Sequence, residues 1–246
     1  MRTSNPALND KTFAAAFGYE TPAQAMTLQG TVVKSGVLLT AAIVAAAYSW
    51  QQTLVNPDTA RMLMFGGIIG GLVASLVIIF KPTTAGWCSP IYAVCEGLFL
   101  GAISSIYESV YSGIVMQAAL LTFGTLGALL LAYTTGVIKA TENFKLGVAA
   151  ATGGIAIVYL LTFVLGFFGI KMPFIHESGL IGIGISVFIV VIAALNLVLD
   201  FDFIETGVAR GAPKYMEWYA AFGLMVTLVW LYVEMLRLLA KLNSRD

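Results

Sequence analysis

The sequence predicts an all-α membrane protein with seven transmembrane helices. Three observations predict it. Apolar stretches long enough to cross a bilayer, about 20 residues each, recur seven times along the chain. Charged residues make up only 11% of the 246, against 59% hydrophobic, whereas soluble domains carry about 25% charged residues. Mean hydropathy is +0.90. Formal net charge is zero, so the chain has no basic footprint for nucleic acid. The expected partner is the lipid bilayer itself.

The domain reading is a polar tail over 1–30, a seven-span domain over 31–241 and a short tail over 242–246. The first 30 residues lack an apolar core, so no cleavable signal peptide is expected. Phe13 and Phe17 are spaced for a short interfacial helix, but a plain tail is the favoured reading. Span one is expected over Val32–Trp50, with Lys34 snorkelling and Tyr48 and Trp50 in an aromatic belt. Asn56-Pro57-Asp58 marks a turn. Span two, Met62–Phe80, carries Gly66, Gly67, Gly70 and Gly71, two small-xxx-small pairs that let helices approach closely.

Span three, Trp87–Tyr107, holds Glu96 near mid-bilayer, where an ionisable group costs roughly 2.5–3.5 kcal/mol. Tyr92, one turn earlier, is placed to hydrogen-bond it, and Gly97 and Gly101 form another small pair. Cys88 and Cys95 are seven apart, about 10 Å along a helix, too far for a disulfide. Span four is Ile114–Ile138. Lys139, Glu142 and Lys145 then read as a loop before span five, Gly147–Ile170. His176 falls in the next loop and reads as solvated. Span six, Gly179–Leu199, opens with the small pair Gly182 and Ser186. Span seven, Trp218–Leu239, has polar residues Thr227, Trp230, Glu234, Arg237 and Lys241 at helical spacing along one face. That stripe should face protein, with Glu234 and Arg237 pairing at i, i+3. Lys and Arg favour the N-terminal side, eight against five, so the N-terminus is expected in the cytoplasm.

The most informative stretch is Leu195–Gly207, which sets Asp200, Asp202 and Glu205 at the end of span six. Acids there either begin a wet loop or form a proton or cation site. On an intact helix Asp200 and Asp202 diverge by about 200°, while Asp202 and Glu205 share a face and Asn196 lies with Asp200. Asp202 is the first choice for a site residue and Asp200 the second. Both are candidate metal ligands, since oxygen ligands suit Ca²⁺. Glu96, Glu205, Glu234 and Thr227 complete the candidate ion and proton path.

These residues resemble the Bax inhibitor-1/YccA family, also called the transmembrane Bax-inhibitor-motif family, in its bacterial branch with an N-terminal extension. The resemblance rests on the span spacing, on Glu96-Gly97, on Leu199–Glu205 and on Met216–Leu239, and covers roughly residues 30–240. It implies six helices around a central seventh. It also implies a pH-sensitive Ca²⁺ leak, in which an aspartate ending span six bonds a second one in span seven. Asp202 matches the first. The second position falls near Thr227, and the acid of span seven is Glu234, two turns later.

Two functions follow. One is a calcium leak in the plasma (inner) membrane, with no bound cofactor and Ca²⁺ only as the transported ion. The other is a non-transporting regulator that binds a membrane protease or another integral partner. No enzyme is expected: His176-Glu177 is not followed by the second histidine of a zinc protease, and no phosphate-binding glycine loop occurs.

Overall fold

The computed structural model describes residues 25–169 and 179–244. The Phe13/Phe17 interfacial helix and His176 lie outside the described residues. Among the described residues there are seven α-helices: α1 Leu28–Val55, α2 Pro57–Phe80, α3 Ala85–Val110, α4 Ile114–Thr134, α5 Glu142–Phe167, α6 Leu180–Ala209 and α7 Met216–Asn243. Each is long and apolar enough to cross a membrane.

Local chemistry sets the boundaries. The Thr27 hydroxyl accepts from the Gly30 amide and caps α1. A single residue, Asn56, separates α1 from α2; its side chain accepts from Thr59 N at 3.2 Å, and Pro57 opens the new helix. Glu108, at the end of α3, accepts from the amides of Gly113 (2.6 Å) and Val115 (3.1 Å). Those amides are orphan donors at the start of α4. Gly136 sits at φ 73°, a backbone region that favours glycine, and turns the chain after α4.

Two boundaries differ from expectation, and both matter for function. Thr141 caps α5 and accepts from Phe144 N, so Glu142 and Lys145 belong to the first turn of a helix rather than to a loop. Helix α6 runs unbroken to Ala209, ten residues past the expected end. Phe201, Phe203 and Ile204 are buried there and carry its apolar packing past the acids.

Helix α7 is the central element. No residue from Met216 to Lys241 is exposed. It packs against α1, α3, α4 and α6. Helix α2 lies against α3 and α1, and α5 against α6. The outward faces are apolar, as at Val33 and Val44 of α1 and Ile69 of α2, and suit lipid. Helix starts of α1, α3, α5 and α7 share one face of the bundle with the ends of α2, α4 and α6. This is the proximal face; the opposite one is distal.

Glycine sets the tightest approach. Gly97 and Gly101 of α3 lie against the backbone carbonyls of Ala42 and Ala46 on α1, with no room for a side chain. The same holds at Gly67 of α2, against the Cys95 carbonyl. Gly66, from the same predicted motif, has open space around it. Cys88 and Cys95 are free thiols. A Gly101→Ala substitution should therefore destabilise the protein by about 1–3 kcal/mol through overpacking. Gly36→Ala, where nothing lies within 4 Å, should not. Thermal unfolding of both variants in detergent checks the contrast.

Candidate functional site

The unbroken α6 distributes its three acids in different directions. Asp200 is buried at 1% exposure. Asn196, one turn earlier on the same face, donates to Thr152 Oγ1 of α5 at 2.8 Å. Asp202 turns towards the start of α5, where Lys145 Nζ lies 2.7 Å from its carboxylate. Lys145 is itself buried and also reaches Glu142 at 3.4 Å. Glu205 is exposed and accepts a hydrogen bond from the Tyr133 hydroxyl at the end of α4.

Asp202 and Glu205 share a face, as their spacing predicts, and both line one cavity of about 910 Å³. Its walls come from α1, α4, the α4–α5 turn and α6, and Leu224 of α7 also contributes. A second cavity of about 480 Å³ lies towards the distal half, among α1, α3, α4 and α7. Met225, Leu228 and Val229 of α7 line it, as does Tyr232, whose hydroxyl is 2.7 Å from Ser104 Oγ.

The helix does not unwind between Asp200 and Asp202, so the two side chains leave it on different sides, and Asp202 faces an ammonium. Among the described residues, no group of three His, Cys, Asp or Glu side chains gathers as a metal site.

The other candidates scatter. Glu234 is buried at 1% exposure and pairs with Arg237 at 2.9 Å, as its i, i+3 spacing predicts. Tyr159 of α5 completes the group. Its hydroxyl donates to Glu234 at 2.8 Å and accepts from Arg237 at 2.6 Å, and the guanidinium lies 5.4 Å from its ring centroid. Thr227 is buried, and its hydroxyl points back to the Gly223 carbonyl of its own helix at 3.4 Å. Glu96 lies against Gly71 of α2, within reach of the Tyr92 hydroxyl. Lys241 donates to the Gly182 carbonyl and the Ser186 hydroxyl, the small pair at the start of α6.

A further polar node was not singled out from the sequence. Glu217, in the first turn of α7, is fully buried. It bonds Lys34, bridges Lys214 at 2.9 Å, and accepts from the Thr27 amide and hydroxyl at 2.9 and 2.8 Å. Lys34 therefore turns inward to a carboxylate, over the Trp218 ring at 5.4 Å, rather than snorkelling to water. Met26 N donates to the Ala212 carbonyl at 2.6 Å beside it. The start of α1, the α6–α7 turn and the root of α7 are thus tied at one carboxylate. Lys145 was missed for a different reason. The Thr141-Glu142 start signal shows that it sits on a helix, but nothing local shows which acid it meets.

A family profile described as Bax inhibitor 1 like matches residues 5–244. This chain belongs to that family. No curated protein and no solved structure matches it. The Bax inhibitor 1 like assignment agrees with the seven apolar helices: the chain is a multi-pass integral membrane protein.

Removing one partner of a buried ion pair leaves the other charge uncompensated. Glu217→Gln should therefore cost about 3 kcal/mol of stability, the low end of that range because Lys214 is half exposed. Adding Lys34→Met to Glu217→Gln should recover part of the loss. Thermal unfolding of the single and double variants checks both statements.

Proposed function

We propose that the protein is a cation leak for Ca²⁺, with the larger cavity as its proximal vestibule and Asp202 as the carboxylate that meets the ion. The observation that carries this reading is Asp202 on the cavity wall, held 2.7 Å from Lys145 of a different helix. Acids in a pore wall select cations over anions, and hard oxygen ligands suit Ca²⁺. Lys145 acts as an internal counter-charge. While it occupies Asp202, an incoming cation meets an ammonium. When the pair separates, the carboxylate becomes available.

Glu205 adds a second carboxylate at the mouth, and Asp200 lies buried behind on the same helix. The apolar turns of α7 between the two cavities, from Leu224 to Val229, provide a hydrophobic barrier that excludes water in the resting form. Glu96 is a reserve carboxylate in this scheme. Glu234 is already neutralised by Arg237 and acts structurally, as does Thr227. The proximal face is cytoplasmic in a plasma (inner) membrane, following the excess of Lys and Arg on that side.

A second reading is a non-transporting regulator of an integral partner, such as a membrane protease. The observation in its favour is α5. It packs on α6 at the edge of the bundle, with Gly147, Gly153 and Gly154 exposed and open space around them. Small residues of that kind let a foreign helix approach.

Ca²⁺ uptake into dye-loaded liposomes separates the two. Lys145→Met should raise uptake several-fold, and Asp202→Asn should lower it and flatten its dependence on pH. No uptake by either the native protein or Lys145→Met, with both folded by size exclusion, would overturn the leak. In-membrane cross-linking from Gly154→Cys to a stable partner would then favour the regulator.

A further inference from the structure

Besides the Asp202–Lys145 pair, the proximal cavity carries a further acid and a further base, and the ion-path reading uses only the acid. Asp202 on its wall is neutralised by Lys145. Among the described residues, Glu205 and Lys139, on the same lining, form no ion pair with each other or with any other residue. Glu205 accepts only a neutral phenol, from Tyr133, and enters no ion pair among the described residues. Lys139, in the α4–α5 turn, also enters none among the described residues, and it is exposed. One acid and one base thus stand on the rim of one cavity, each without an opposite charge in contact among the described residues.

The rest of the lining is largely apolar. Leu126, Leu130, Phe201 and Leu224 face the space, and Val32 of α1 closes the other side. The volume of about 910 Å³ lies within the range of roughly 300–1,000 Å³ in which pockets bury most of a bound small molecule. The charged rim lies where α4 ends and α5 begins, at the proximal end of the bundle, while Leu224 and Leu126 lie further along their helices.

We infer that this cavity binds one phospholipid of the proximal leaflet with a zwitterionic, primary-ammonium headgroup, of the phosphatidylethanolamine class. Its phosphate meets Lys139, its ammonium donates to Glu205, and an acyl chain fills the apolar recess between α1 and α4. A headgroup with phosphate alone would leave Glu205 facing a like charge. A quaternary ammonium would lack the N–H that donates to the carboxylate. The inference concerns lipid and stands whether or not the protein conducts ions.

The test uses the full chain in nanodiscs of equal phosphatidylethanolamine, phosphatidylglycerol and phosphatidylcholine, released gently for native mass spectrometry. One phosphatidylethanolamine should remain bound in preference to both others. Glu205→Gln and Lys139→Ala should each reduce that preference about ten-fold, the scale of one lost charged hydrogen bond. Leu130→Trp, which fills the recess, should displace the lipid with the headgroup residues intact. Asp58→Asn, at the distal end of α2, should change nothing. Equal retention of the three lipids by the native protein would overturn the inference. So would unchanged preference in Glu205→Gln and Lys139→Ala, with thermal unfolding showing both folded. Displacement by chain-free glycerophosphoethanolamine would overturn it too, since the apolar recess would then contribute nothing.

Discussion

A bilayer core holds no water to satisfy a charge, so every ionised group on α7 must find a protein partner. That constraint explains the arrangement of the bundle. Glu217, at one end of α7, meets Lys34 and Thr27 of α1 and Lys214 of the turn before it. Glu234 and Arg237, towards the other end, meet Tyr159 of α5. Lys241 meets the first turns of α6. Each partner comes from outside α7 or from its own next turn. A helix with such a stripe is stable in hydrocarbon only when covered, and covering it draws α1, α5 and α6 into place around it. Buried pairs of this kind contribute little net stability over an apolar core. They exclude arrangements in which one partner is left alone.

Small residues do the complementary work. Where α3 presents Gly97 and Gly101, the α1 backbone comes into direct contact, and α2 closes on α3 through Gly67. Gly124 and Gly127 of α4 touch nothing comparable. The two cavities lie on that side, between α1 and α4, with α7 contributing to both. The bundle is therefore close-packed on one flank and recessed on the other. The polar lining of the recessed flank is concentrated at its proximal end, in Asp202, Glu205, Tyr133, Lys139 and Thr141.

The acids of α6 show how one continuous helix separates chemistry that the sequence writes side by side. Asp200 and Asp202 are two residues apart, yet one is buried in the packed interior and the other meets Lys145 beside a cavity. Had the chain unwound after Leu199, both would have faced one aqueous loop. Phe201, Phe203 and Ile204 prevent that, because they bury apolar surface only if the helix continues.

Much of this protein follows from its residues alone. Seven spans, the covered stripe of α7, the Glu234–Arg237 pair and the tight glycine contacts of α3 all rest on composition, spacing or side-chain size, which act within one helix. The partners across helices do not. Lys145 with Asp202, Tyr133 with Glu205, Tyr159 with Glu234 and Lys34 with Glu217 join residues 57, 72, 75 and 183 positions apart. No local spacing encodes such a pairing. It depends on the rotation and depth at which each helix settles, and these are decided by packing all seven together so that no charge is left alone in lipid.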